Sequence, residues 1–255
     1  MKKIFIILLV VFLAGTLTAQ EKISPVGVDE KYGQMVPLNL TLYDEYGKPV
    51  KLSDLTNGKP VALTLVYYRC PGICSPLLTG LTKTVDVADI VPGKDYELIT
   101  VSFDPSENYT VASEKKKNYF ELLKHRKLAN EDWRFLTADS ATIAKLTDAV
   151  GFRYFKKDSD YVHSAVLTLL SPEGKITRYL YGTNFLPLDL KLGIIEASEG
   201  KVGTTISKVV SLCYSYDPEG KKYVLDVTRI AGGGIILLLG IFVTVLIVKK
   251  KKTNI

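Results

Sequence analysis

Along the chain, apolar runs typical of strands alternate with apolar residues at helical spacing, and this pattern predicts alternating strands and helices. Val61–Tyr68 is almost continuously apolar, as expected for a central strand buried on both faces. Apolar residues then recur at helical spacing over Leu77–Ala88, and Glu97–Phe103 predicts a second buried strand. Further strands are predicted at 38–42, 50–52, 133–136, 152–155, 165–170 and 176–180, and further helices at 111–126, 140–150 and 187–199.

This order of elements predicts an α/β fold with a mixed sheet flanked by helices. Cys70 and Cys74 stand where the first buried strand runs into the following helix, which favours a thioredoxin-like arrangement. The chain contains no internal repeats or low-complexity tracts. We therefore assign residues 20–200 to one thioredoxin-like domain.

The amino-terminal residues have the pattern of an export signal. Lys2 and Lys3 precede a short apolar run, and Ala19 stands at a plausible cleavage point. Because the apolar run is short for a membrane span, residues 1–19 predict a removed signal peptide, with a retained anchor as the alternative.

The carboxyl-terminal residues predict a membrane anchor. Residues 230–248 carry no charge, and at about 1.5 Å per helical residue they would cover about 28 Å, close to the thickness of a hydrocarbon core. The lysine-rich tail, 249–255, is expected on the cytoplasmic side. The domain and a juxtamembrane extension, 201–229, are then expected on the periplasmic or extracytoplasmic side of a bacterial inner membrane.

The net charge of +6 comes from the two ends of the chain. Six of the 33 basic residues are terminal lysines, which leaves 27 basic residues against 27 acidic residues in between. The predicted exported domain therefore has no basic bias, which argues against nucleic acid as a partner.

Cys70 and Cys74 are the first candidates for chemistry. If the helix begins between them, Cys74 lies in its first turn, where the helix dipole favours a thiolate. An ordinary disulfide in an exported protein is the competing interpretation of this spacing. The position directly after a buried strand favours a functional pair, because structural disulfides usually join distant segments.

His163 is the third candidate. It directly precedes a strand of the predicted closing hairpin, at a point that can face the cysteine loop in this fold. Two thiolates and an imidazole suit copper in both oxidation states, whereas zinc normally takes a fourth ligand. An isolated histidine is more often a surface or capping residue. The other histidine, His125, lies in a basic run and is predicted to be solvated.

Cys213 is the third cysteine, in the predicted juxtamembrane extension. It is open to three interpretations: a buried apolar residue, a fourth ligand or an intermolecular partner. The first is favoured.

Three segments together resemble the SCO/SenC family: Tyr67–Cys74, Ser102–Pro105 and Tyr161–Ser164. The resemblance covers roughly residues 33–200, and the tail is similar to a bacterial branch with a carboxyl-terminal anchor. It implies a thioredoxin-like fold, a role in assembling the dinuclear copper centre of cytochrome c oxidase, and copper ligation by Cys70, Cys74 and His163. The implied partner is the copper-binding subunit of that oxidase.

The chain departs from the family at two positions beside the predicted ligands. Many members have an acidic residue between the cysteines, where this chain has Gly72 and Ile73. Many also have an acidic residue directly before the histidine, where Val162 stands here. These departures bear on metal affinity and redox tuning rather than on the ligand set.

Three functional hypotheses follow. The first is a copper chaperone that uses all three ligands. The second is a thiol–disulfide oxidoreductase that needs the two cysteines but not His163; either activity requires reduced thiols, and so a thiol reductant is a further possible partner. The third, a peroxide-reducing enzyme, needs a Thr and an Arg beside one activated thiolate. Thr64 and Arg69 are present, but nothing in the sequence singles them out.

Overall fold

The computed structural model describes residues 26–158 and 160–203, together with the backbone of 214–217 and 222–225. Two compact units divide after Gly200. The predicted signal peptide, membrane span and basic tail lie outside the described residues. Within the described ranges, none of the helices has the length and apolar character needed to cross a membrane.

The described strands and helices are numbered here in chain order. The strands are β1 (Gly27–Val28), β2 (Thr41–Tyr43), β3 (Pro49–Lys51), β4 (Val61–Val66), β5 (Glu97–Ser102), β6 (Trp133–Leu136), β7 (Phe152–Arg153), β8 (Phe155–Lys157), β9 (Asp160–Val162), β10 (Val166–Leu170), β11 (Ile176–Tyr181), β12 (Tyr214–Asp217) and β13 (Lys222–Leu225). The helices are α1 (Leu52–Thr56), α2 (Cys74–Val87), α3 (Tyr109–Phe120), α4 (Ser140–Ala149) and α5 (Pro187–Ser198).

A mixed five-stranded sheet forms the centre of the first unit, in the order β11-β10-β4-β5-β6. Strands β4, β5 and β6 are parallel, while β10 pairs antiparallel with both β4 and β11. Every residue of β4, β5 and β10 is buried, as expected where helices cover both faces. The predicted mixed sheet is confirmed. Its parallel pairing places the carboxyl ends of β4 and β5 at one edge.

The helices begin where the sequence supplies a local reason. The Asn108 side chain accepts hydrogen bonds from two backbone amides at the start of α3, and the Asp139 side chain accepts one from the Thr142 amide at the start of α4. The prediction for 111–126 is too long at its carboxyl end, because α3 ends at Phe120. The backbone amides of 124–126 instead donate to the Asp86 carboxylate. This buried carboxylate offers them an alternative to helical hydrogen bonds.

The small sheets around the site differ most from the predicted elements. The single strand predicted at 152–155 is two strands: β7 pairs with β1, and β8 forms a hairpin with β9. The strand predicted at 38–42 contributes only its end, because β2 covers Thr41–Tyr43. These strands are two or three residues long and two of them, β8 and β9, are largely exposed, so their apolar pattern is weak.

The second unit contains a hairpin in the predicted extension. Strand β12 pairs antiparallel with β13, from Tyr214↔Leu225 to Asp217↔Lys222. Cys213, the residue before this hairpin in the sequence, lies outside the described residues.

A buried ion cluster joins three segments of the first unit. The Glu45 carboxylate accepts hydrogen bonds from Lys116 Nζ at 2.8 Å, from Arg134 Nη2 at 3.0 Å and from the Phe135 amide at 2.7 Å. Burial raises the pKa of Glu45, but the hydrogen bond from Arg134 and the charge of Lys116 outweigh it and lower the pKa overall. The pKa of Lys116 is lowered overall, because burial disfavours the charged ammonium and the attraction of Glu45 offsets only part of this effect. The carboxylate is therefore the better-satisfied partner.

Replacing Glu45 by Gln should lower the free energy of unfolding by about 3 kcal/mol, because the buried Lys116 loses its counter-charge and the half-buried Arg134 loses one of its two carboxylate partners. The folded-state pKa of Glu45 lies below its unfolded value, so its contribution is present at neutral pH and is lost as the pH falls through the folded pKa. Urea unfolding at pH 7 and at about pH 3 measures both effects. The cost of Glu45→Gln should be smaller at the lower pH.

Asp148→Asn is the matched control, because Asp148 is exposed in its pair with Lys31. This variant should change stability little at either pH. An equal effect of both variants at neutral pH would contradict a special contribution from the buried cluster.

Candidate metal centre

The two cysteines lie at the carboxyl edge of β4, on either side of a helix start. Cys70 is in the loop after β4, where its amide donates to the Tyr67 carbonyl at 3.2 Å. Cys74 is the first residue of α2, which agrees with its expected position in the first turn of the helix. Both are free thiols, and the Gly72 amide donates to Cys70 Sγ at 3.3 Å.

His163 reaches the cysteines from the start of β10, the strand that pairs antiparallel with β4. It lies between β9 and β10, and its Nε2 is 3.1 Å from Cys74 Sγ. The nearest ligand atoms of Cys70, Cys74 and His163 all lie within 4.8 Å of one another. The structure thus brings together the three side chains that the sequence singled out.

The hydrogen bonds of His163 indicate its tautomer. Nδ1 lies 3.0 Å from the Ser164 carbonyl oxygen, which can only accept a hydrogen bond. Nδ1 therefore carries a proton, and Nε2 is the ring nitrogen that faces Cys74 Sγ. In metal-ligating histidines, the ring nitrogen that does not bind the metal commonly donates a hydrogen bond to a group such as a backbone carbonyl.

The two thiols differ in electrostatics. The hydrogen bond from Cys74 lowers the pKa of Cys70 to about 3 against the effect of burial, with further help from His163 and from the Cys74 and Gly72 amides. Burial raises the pKa of Cys74, and its bond to Cys70 raises it further. The helix start was expected to favour a thiolate at Cys74. The thiolate instead belongs to Cys70, because Cys74 is completely buried.

Aromatic rings form the wall behind the histidine. The ring centroids of Phe103, Tyr67 and Phe152 lie 5.1, 5.8 and 5.9 Å from that of His163. All three aromatic side chains are buried. They limit the imidazole to a narrow range of orientations and exclude water from that side of the site.

The surroundings of the ligands are apolar where the family often has acidic residues. Ile73 and Val162 are exposed, at 40% and 38%, whereas Cys70 and His163 are each only 7% exposed. His125, by contrast, is exposed as predicted and takes no part in the described cluster. The two positions where the family often has acidic residues thus carry exposed apolar side chains.

Glu107 is a site residue that the sequence analysis missed. Its buried carboxylate accepts from the amides of Tyr68 at 2.6 Å and Arg69 at 2.7 Å, and from Ser102 Oγ at 2.6 Å. It thereby ties the segment leading to Cys70 to the end of β5. The sequence feature that could have identified Glu107 is its position, two residues after Pro105 in the segment that follows a buried strand.

The three donors fit a soft metal ion. Thiolates and imidazole are preferred by copper and zinc, and three protein ligands leave room for an incoming donor. The geometry fits equally the chemistry of a dithiol, since Cys70 and Cys74 are close and reduced. Both chemistries depend on the placement of the loop by Glu107.

We expect Glu107→Gln to weaken metal binding by about 10- to 100-fold, because an amide cannot accept from both backbone donors and the loop would shift. Metal titration of the reduced full-length chain measures this change. Glu114→Gln is the control, since Glu114 is exposed on α3. Unchanged affinity in a folded Glu107→Gln variant would exclude a positioning role.

Solved structures of other proteins share the fold around this site. A protein from Aquifex aeolicus VF5, provisionally assigned to electron transfer, is 31% identical, with 68% of this chain and 97% of that chain covered and a TM-score of 0.60. BsSco is described as a member of the Sco family of cytochrome c oxidase assembly proteins with a disulfide switch. It is 23% identical over 67% of this chain and 96% of its own, with a TM-score of 0.51. The likeness to BsSco supports the predicted thioredoxin-like fold.

Arabidopsis thaliana ScoI, whose structure has copper bound, is 25% identical over 63% of this chain and 96% of its own, with a TM-score of 0.49. Curated proteins gave no significant match.

A family model supplies the assignment. The model described as SCO1/SenC matches residues 29–186, which is more than half of the chain and includes both cysteines and His163. The chain belongs to the SCO1/SenC family.

Proposed function

We propose that this protein is a membrane-anchored, extracytoplasmic copper chaperone that assists assembly of the copper centre of cytochrome c oxidase. The observation that carries the proposal is the convergence of Cys70, Cys74 and His163, whose donor atoms lie within 4.8 Å of one another. Membership of the SCO1/SenC family supports the same assignment.

Copper is the cargo in this proposal, held by the two sulfur atoms and by His163 Nε2. Soft sulfur ligands favour Cu(I), and the imidazole accommodates Cu(II) as well. The protein must keep both thiols reduced and the imidazole neutral for binding. The Ser164 carbonyl holds a proton on Nδ1, which leaves Nε2 as the ring nitrogen that would bind the ion.

Release follows from the asymmetry of the site. Cys74 is completely buried at the start of α2, whereas Cys70 lies in the loop before it and is slightly exposed. A donor from the partner would therefore displace Cys70 first, while Cys74 and His163 still hold the ion. The proposed partner is the copper-binding subunit of cytochrome c oxidase, in keeping with the assembly role for which the relative BsSco is described.

Reduced full-length chain should bind one copper ion tightly, and His163→Ala should lose or greatly loosen it. Cu(I) and Cu(II) are titrated separately, and bound metal is counted per chain. His125→Ala is the matched control, because it removes the other histidine of the chain, which is exposed. Equal copper binding by wild type and His163→Ala would remove His163 from the site. No binding by wild type with intact thiols would overturn the proposal.

A thiol–disulfide oxidoreductase is the second candidate, and the contrast between the two thiols favours it. A thiolate at Cys70 beside a buried, protonated Cys74 is the arrangement of an attacking and a resolving cysteine. This activity does not require His163. A His163→Ala protein that no longer binds copper but still reduces a disulfide substrate would separate the two functions.

The proposed location rests on the sequence pattern of residues 230–255. We expect the full-length chain to remain in the membrane pellet after alkaline extraction, and deletion of 230–255 to release it. Deletion of 249–255 alone is the control, because it leaves the apolar segment in place. Release of the full-length chain by the same extraction would contradict the anchor.

A further inference from the structure

The β8–β9 hairpin leads the chain to His163 and has little structure of its own. Among the described strands, β8 and β9 pair only with each other, and each is three residues long. An isolated two-stranded hairpin is marginally stable in water. All of β8 is exposed, and in β9 only Tyr161 is partly buried, packed against the core. Tyr161 is therefore the main link between β9 and the core.

The ring of Tyr161 packs into the same aromatic cluster as the imidazole. Its centroid lies 5.3 Å from that of Tyr67 and 5.5 Å from that of Phe103, and both contacts are edge-on. The imidazole of His163 contacts the same two rings, at 5.8 and 5.1 Å. Tyr67 directly follows β4, Phe103 directly follows β5, and both are buried. Tyr161 and His163 thus share one wall, which the central sheet fixes.

The polar contacts of Tyr161 are weaker than its ring contacts. Its amide donates to the Tyr67 hydroxyl at 3.5 Å, and its hydroxyl donates to the Asp104 carboxylate at 3.5 Å. Both distances are long for hydrogen bonds. Edge-to-face aromatic pairs, in contrast, add attraction to the burial of the ring. We therefore expect the ring, rather than the hydroxyl, to hold β9 in place.

The hydrogen bonds of His163 do not attach its segment to the rest of the unit by themselves. The Ser164 carbonyl beside Nδ1 belongs to the next residue of the same segment. Nε2 faces Cys74 Sγ, which is itself a candidate ligand. The position of the imidazole before an ion arrives therefore depends on the packing of the segment that carries it.

We propose that Tyr161 is a positioning residue whose ring anchors β9 to the aromatic cluster and so holds the His163 imidazole facing the two cysteines. The inference deepens the proposed copper function, and its metal-binding part rests on that function. The placement of the imidazole is a property of the metal-free chain and does not depend on copper.

The first measurement is the rate at which diethyl pyrocarbonate labels His163 in the metal-free, reduced full-length chain. His163 is buried and the other histidine, His125, is exposed, so His125 is an internal reference in the same molecule. Peptide mapping by mass spectrometry separates the two sites. Tyr161→Ala should raise the labelling rate of His163 relative to that of His125 about tenfold, because the aromatic contacts that hold β9 are lost.

Three further variants test whether the ring of Tyr161 is responsible. Tyr161→Phe keeps the ring and should stay within about twofold of wild type. Tyr161→Leu keeps apolar bulk without a ring; it should also raise the rate, and it replaces Tyr161→Ala if that variant does not fold. Tyr32→Ala is the matched control, because the edge-on ring contact of the half-exposed Tyr32 is with Tyr179. It should leave the labelling ratio unchanged. Thermal unfolding of each variant ensures that labelling is measured on folded chain.

The second measurement compares the affinities for Cu(I) and Cu(II), with thiols counted before and after each titration. Two thiolates suit Cu(I), whereas Cu(II) depends more on the imidazole. Tyr161→Ala should therefore lower the Cu(II) affinity about tenfold more than the Cu(I) affinity. A general loss of stability would lower both affinities alike, and an equal loss would contradict a role of Tyr161 toward the histidine ligand.

The labelling result decides the inference. A folded Tyr161→Ala or Tyr161→Leu chain that labels His163 no faster than wild type overturns it, and so does a Tyr161→Phe chain that labels as fast as Tyr161→Ala. A wild-type chain that binds no copper, together with faster labelling in Tyr161→Ala, would sink the chaperone proposal and keep the role of Tyr161. Copper binding by wild type with unchanged labelling in Tyr161→Ala would do the reverse.

Discussion

The pairing of β4 with its two neighbours is the constraint on which the rest of the site depends. Strand β5 runs parallel to β4, so the two strands end at the same edge of the sheet. Strand β10 runs antiparallel to β4 on the other side, so it begins at that edge. The cysteine loop, the segment with Glu107 and the segment with His163 must therefore meet there. A different strand order would leave the thiols and the imidazole far apart.

The site combines burial with reactivity. All three donor residues are buried, and burial alone would keep both thiols protonated and unreactive. The hydrogen bonds around Cys70 reverse this effect for one sulfur, while Cys74 remains protonated beside it. The contrast gives the pair one sulfur suited to exchange and one suited to retention.

Much of the site is held in place by groups that are not themselves candidate metal ligands. Glu107 fixes the backbone before Cys70, and the Ser164 carbonyl fixes the imidazole tautomer. Aromatic rings limit the position of His163. These hydrogen bonds lie in buried surroundings, where an unpaired polar group costs free energy, and so their geometry is closely maintained. The donors are therefore placed before any ion arrives.

The sequence by itself determined the long elements, the α/β class and the three side chains of chemical interest. Continuous apolar runs such as Val61–Tyr68 are strong signals because they report burial, which is local in sequence. The tertiary structure alone decided which cysteine carries the thiolate, that Glu107 supports the loop, and that β8 and β9 form a hairpin beside His163. These features arise from contacts between segments distant in the chain, and hydrogen bonds of that kind leave no periodic pattern in the sequence.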